Sequence, residues 1–117
     1  MNELIQKVIS WSKEKGIKEK STTLTQLKKV QEELSEFRDE IALTELILTH
    51  DRIFQKKAKE RQKMEAGDLL LSAIVAIDLE GFDPVECLSM AYDKVSSRKG
   101  RMINGTFVKE ENLPENQ

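Results

Sequence analysis

Four carboxylates stand out by type and spacing: Glu33 and Glu36 in Glu33-Leu34-Ser35-Glu36, and Glu65 and Asp68 in Glu65-Ala66-Gly67-Asp68. Helical residues three apart share a face, with Cβ atoms about 5–6 Å apart. Glu65 and Asp68 share theirs with Ser72 and stand at the mouth of the most apolar stretch, Leu69 to Leu79. A carboxylate driven toward a core without a partner is strongly disfavoured or surrenders its charge. At an effective dielectric of about 20, two like charges about 6 Å apart repel by about 3 kcal/mol. Two packed helices presenting these motifs to each other therefore turn the acids apart into water or hold a cation among them. Oxygen-only ligands suit a hard ion, Mg²⁺ with Mn²⁺ as substitute, with waters and substrate phosphates completing the octahedron.

Glu-x-x-Glu also arises freely on the solvated face of a glutamate-rich helix. The second motif carries more weight, because it heads an apolar helix and contains Gly67, which costs a helix interior about 1 kcal/mol against alanine. A backbone or ligand approaching closely at Gly67 would account for it. A di-iron carboxylate bundle is the competing metal site, but it requires Glu-x-x-His motifs, and the single histidine, His50, is in none. Lys94 and Arg98 are i, i+4 neighbours at the end of the last helix, where cations complement the helix dipole. They serve that terminus alone or, beside a metal-loaded acidic site, clamp a polyphosphate.

The elements that must position these groups read as helices. The chain has 117 residues, 34% charged and 38% hydrophobic, with five glycines and two prolines. That composition suits one helical domain. The net charge of −2, with basic and acidic residues interspersed, excludes the basic face of a nucleic-acid binder. One cysteine, Cys87, permits no intrachain disulfide, and the amphipathic, charged start is unlike a secretory signal. The longest apolar run is too short for a bilayer. A cytoplasmic protein that engages neither membrane nor nucleic acid polymer is expected.

Leu4, Ile5, Val8, Ile9 and Ser12 predict a first helix over 2–15, ended by Gly16 and followed by a polar loop with Thr22 or Thr23 as next N-cap. Leu27, Val30, Leu34, Phe37 and Ile41 form a heptad line along the second helix, with Glu33, Glu36 and Glu40 on its flank. Periodicity blurs through residues 44–54, where a break is expected. The charged run 55–63 reads as a solvated extension of the apolar third helix, which Gly81 caps. Asp83-Pro84-Val85-Glu86 is a capping box with proline at N1 and opens the fourth helix, to about Arg98. The expected architecture is all-α, about four helices, as a domain over 1–105 with a polar tail over 106–117 that holds one Asn-Gly turn signal. Trp11 is placed in the core, with contact to a bound base as the alternative. Four short helices leave apolar faces to cover, so the bundle is expected to be completed by a homodimer or homotetramer.

On EELSE, on EAGDLLLS after a gap of 28 residues, and on DKVSSRKGRMINGTFVKE, the chain resembles the MazG-like nucleotide pyrophosphohydrolases, in particular their short single-domain type. ISWSKEKGI and QLKKVQEE extend the likeness over nearly the whole chain. The resemblance implies an all-α fold, Mg²⁺, and hydrolysis of a nucleoside or deoxynucleoside triphosphate to the monophosphate and pyrophosphate. It implies Glu33, Glu36, Glu65 and Asp68 as the metal-holding catalytic acids. It further implies Lys94 and Arg98 on the phosphate side, and Gln26 and Lys29 toward the nucleotide. Asp93 departs from the asparagine that such relatives often carry. The rival expectation is a non-catalytic helical adaptor that binds a partner through the Leu27–Ile41 line.

Overall fold

The computed structural model describes residues 2–47 and 50–113. Its helices are α1 (Asn2–Glu14), α2 (Ile17–Lys20), α3 (Thr23–Leu46), α4 (Arg52–Leu79) and α5 (Pro84–Ser96), so the mainly helical architecture is as expected, with four long helices and one short one. They are followed by strands β1 (Gly100–Ile103) and β2 (Thr106–Lys109) and a 3-10 turn at Glu110–Asn112. Two compact units divide the chain, Met1–Pro84 and Val85–Gln117. No helix among the described residues is long and apolar enough to cross a membrane.

In the first unit α1 buries Ile5, Ile9 and Ser12, the i, i+4, i+7 stripe of an amphipathic helix. The Ser12 hydroxyl donates to the Ile9 carbonyl at 2.8 Å, which satisfies it inside the core. Trp11 corrects the expectation of a core residue. It lies two residues from Ile9, about 200° around the helix, and is 41% exposed. It lines a surface recess with Glu3, Gln6 and Lys7. The polar loop expected after Gly16 holds a single helical turn, α2, closed by bonds from the Lys20 and Ser21 amides to the Gly16 and Ile17 carbonyls.

Thr22 is the N-cap of α3, and its hydroxyl accepts from the Thr25 amide at 3.1 Å. Asp51 caps α4 by accepting from the Ile53 and Phe54 amides at 2.9 and 3.2 Å. The expected break falls between these helices; its residues 48 and 49 lie outside the described set. α4 ends where the Gly81 amide reaches the Asp78 carbonyl and the Phe82 amide reaches Ile77, the double bond of a Schellman motif.

α3 and α4 run antiparallel. Thr23 donates to Glu80 at 2.6 Å, the Gln26 amide to the Ser72 carbonyl at 3.3 Å, and Arg61 to Glu40 at 2.7 Å. The packed line of α3 is not the one its leucines suggest. Gln26, Val30, Glu33, Phe37, Glu40 and Thr44 are buried or half-buried, whereas Leu27 is 43% and Leu34 52% exposed. At 100° per residue the packed face is turned about 60° from the leucine line. On α4 the matching line is Ala58, Gln62, Glu65, Leu69, Ser72 and Ala76. It steps four and three, as a coiled-coil seam does. Ala58 is fully buried and Gln62 is 8% exposed, so the charged run 55–63 has a packed face and is not a solvated extension. Across this seam the long Gln26 side chain of α3 reaches the backbone at the small Ser72 of α4.

In the second unit, α5 stops at Ser96 and leads into an antiparallel hairpin that pairs Gly100 with Lys109 and Ile103 with Thr106. Asn104 and Gly105 form its turn with φ of 50° and 81°. Two successive positive φ values match the twist of the strands, which is why Asn-Gly serves there. Of the polar tail expected over 106–117, residues 106–112 form β2 and the 3-10 turn; its last four residues lie outside the described set.

Candidate metal centre

The packed seam carries the acids into contact. Oxygens of Glu33, Glu36 and Glu65 lie within 4.8 Å of one another. Glu33, on the contact line of α3, is only 7% exposed. Glu65 lies on the contact line of α4 and is half-buried, and Glu36 is exposed. Asp68, three residues beyond Glu65, is exposed and is not one of the three. The structure thus joins three of the four expected acids across two helices. Glu40, on the same flank, is committed elsewhere, to Arg61.

One cation is already present. Lys29 lies one turn before Glu33 on α3, with its ammonium 3.0 Å from Glu33 Oε1 and 3.7 Å from Glu32. Its hydrogen bond to Glu33 and the attraction of that charge raise the Lys29 pKa above its ordinary value, with smaller help from Glu32 and Glu36. The carboxyl of Glu36 is also raised. Glu33 beside it accepts a hydrogen bond from the protonated acid and repels the ionised one; slight desolvation and Glu65 add to this, and Lys29 opposes it.

The arrangement is incomplete as it stands. With the acids ionised, Glu33 Oε2 and Glu65 Oε2 are buried and meet no donor among the described residues. Buried polar atoms in native proteins are nearly always partnered, and an orphaned carboxylate oxygen calls for a proton, a water or an ion. The three carboxylates and the Lys29 ammonium sum to two negative charges. A hard divalent cation fits that donor set in charge and chemistry.

The other expected site residues are placed as follows. The Gln26 side-chain amide is spent on the Ser72 carbonyl inside the seam. Lys94 is exposed in the last turn of α5, and its carbonyl accepts from the Ser97 hydroxyl. Arg98 follows the helix and lines a recess with Lys99, Lys109, Glu110 and Glu111 in the second unit. Among the described residues nothing lies within 4 Å of where a Cβ on Gly67 would stand, so none of them makes the close approach expected there. Sequence reasoning passed over Gln62 and Ala58, whose signal was their heptad spacing to Glu65. No family model, curated protein or solved structure matches the chain.

Proposed function

We propose that this protein is a Mg²⁺-dependent nucleoside triphosphate pyrophosphohydrolase that releases monophosphate and pyrophosphate. The observation that carries the reading is the pair of buried, donorless oxygens of Glu33 and Glu65 within a three-carboxylate group spanning two helices. A solvated acidic flank would have no reason to bury them. The resemblance on EELSE and EAGDLLLS supplies the reaction class.

In this reading Glu33, Glu36 and Glu65 would hold the ion, with Asp68, on the next turn of α4, as the fourth acid that the resemblance implies. When bound, a divalent cation supplies Lewis-acid neutralisation of phosphoryl charge. Phosphoryl transfer asks the protein chiefly for positioning and electrostatics. Glu33 and Glu65, fixed by the seam, orient. Glu36 is the exposed member, the one that water reaches, and we assign it to orient the attacking water and take its proton. Lys94 and Arg98 are assigned, by charge and by the resemblance, to phosphate oxygens of the leaving pyrophosphate.

The exposure of Leu27 and Leu34 favours one rival, an adaptor that binds a partner helix along α3. A panel of nucleoside triphosphates with Mg²⁺, run in ¹⁸O-labelled water, tests the proposal. Label in a monophosphate product, with pyrophosphate released, supports it. Label in orthophosphate means a different reaction, and no turnover with any triphosphate leaves the adaptor.

A further inference from the structure

Lys29 is a positive group in contact with the acidic cluster, and it makes that contact from an unpromising position. A lysine four residues before a glutamate is the less favoured order for a helical ion pair, the reverse order being the better one. The Lys29 side chain is also 53% exposed, so solvent competes for its ammonium. It is nevertheless 3.0 Å from Glu33 Oε1, the other oxygen of the same carboxylate that leaves Oε2 donorless. Intrinsic helix preference does not hold it there; the charge of Glu33, with Glu32 at 3.7 Å and Glu36 adding to it, does.

We infer that Lys29 is a built-in counter-ion of the metal-free site, which an entering divalent cation displaces from Glu33. This inference rests on the metal reading above and assigns that site a competitor within its own chain. One ammonium neutralises one of three charges, enough to let the seam close without an ion and too little to satisfy it. Its loose, half-exposed attachment allows it to leave without disturbing the α3–α4 contact. Once displaced, it is a free cation one turn from the ion, where a substrate phosphate would meet it.

The test is Mn²⁺ binding, by calorimetry, to the metal-free full chain and to Lys29→Met and Lys29→Arg, together with metal-free thermal unfolding. Lys29→Met should bind Mn²⁺ tighter by about fivefold, the scale of one partly screened ion pair, and should melt lower without metal. Lys29→Arg keeps the competing charge and should restore affinity toward wild type. A role confined to packing or to substrate phosphate would leave the Mn²⁺ isotherm unmoved. Equal or weaker binding by Lys29→Met, with wild type binding normally, overturns the inference and leaves the metal reading intact. Binding by Lys29→Met alone supports the inference in its strongest form. Binding by none of the three proteins overturns both.

Discussion

Glu33 on α3 and Glu65 on α4 face each other across an antiparallel helix pair, each with one carboxylate oxygen buried and without a donor. Their oxygens lie within 4.8 Å. Two ionised acids so placed repel each other across that seam. Glu65→Gln removes a charge at nearly constant shape. Without metal, the variant should melt at or above the wild-type temperature, since like-charge repulsion is relieved. Millimolar Mg²⁺ should raise the melting temperature of wild type and not of the variant. Equal Mg²⁺ shifts in both would remove Glu65 from the site.

Glu36 gives the pH dependence. Its carboxyl titrates above the ordinary glutamate value of 4.5, chiefly because of Glu33. In that window the folded state binds more proton than the unfolded one. Its contribution is therefore fully present below 4.5, and is lost as pH rises through the folded-state value. Glu36→Gln cannot lose it. Melting temperatures compared without metal from about pH 4 to about pH 7, the range in which carboxylates and their shifts are read, should show the variant gaining on wild type as pH rises. A constant difference across that range contradicts the assignment.

Turnover tests the same acids. Glu36→Gln and Asp68→Asn should each abolish Mg²⁺-dependent hydrolysis while helix content by circular dichroism is unchanged. Activity within about tenfold of wild type, roughly 1.4 kcal/mol of barrier, would exclude the substituted acid from the mechanism.

The two glycines next to functional segments should behave oppositely. Open space surrounds Gly67 inside α4, so Gly67→Ala should stabilise the protein by about 1 kcal/mol, the helix-propensity difference. A Cβ on Gly100 would collide with the Val108 carbonyl and the Phe107 ring across the hairpin, so Gly100→Ala should disrupt β1–β2 pairing. Amide hydrogen exchange at residues 100–109 reads the second outcome. Loss of turnover in Gly67→Ala despite a higher melting temperature would mean that a ligand or a second chain uses that space.

The exposed Leu27 and Leu34, with Leu24 and Leu43 on the same helix, are expected to associate with another copy of the chain. Sedimentation at micromolar concentration should show a species larger than the monomer, and Leu27→Glu with Leu34→Glu should dissociate it. A wild-type monomer at that concentration ends the idea of an oligomeric bundle.

Much of this was readable in advance where local chemistry dictates structure. Thr22 as cap, Pro84 at the first position of α5 and the helical stretches between them follow from backbone hydrogen bonding and sterics, which act within a few residues. The seam was not readable from hydrophobic periodicity. Its residues on α4 include Ala58, Gln62, Glu65 and Ser72, which carry little apolar signal, and the leucines of α3 pointed about 60° away. Glu33 was therefore placed beside the core when it lies in it. The four-residue strands were too short to show alternation, so only their Asn-Gly turn was visible. Lys94 and Arg98 were singled out by charge and by resemblance, and nothing local to either fixes what it contacts.

The four-three stepping of the α3–α4 seam bears on how this chain can change length. A single inserted residue between Arg52 and Glu65 would turn Glu65 by about 100° and take its carboxylate off the contact line. Seven residues added to each helix beyond the acids, between Glu36 and Leu46 and between Arg52 and Glu65, would restore the phase and only lengthen the arm. Residues added to the connection between Leu46 and Arg52 would change neither. The spacing of 28 residues between the two acidic motifs is thus a quantised quantity within the helices and a free one between them. Insertions surviving in this protein should sort themselves accordingly.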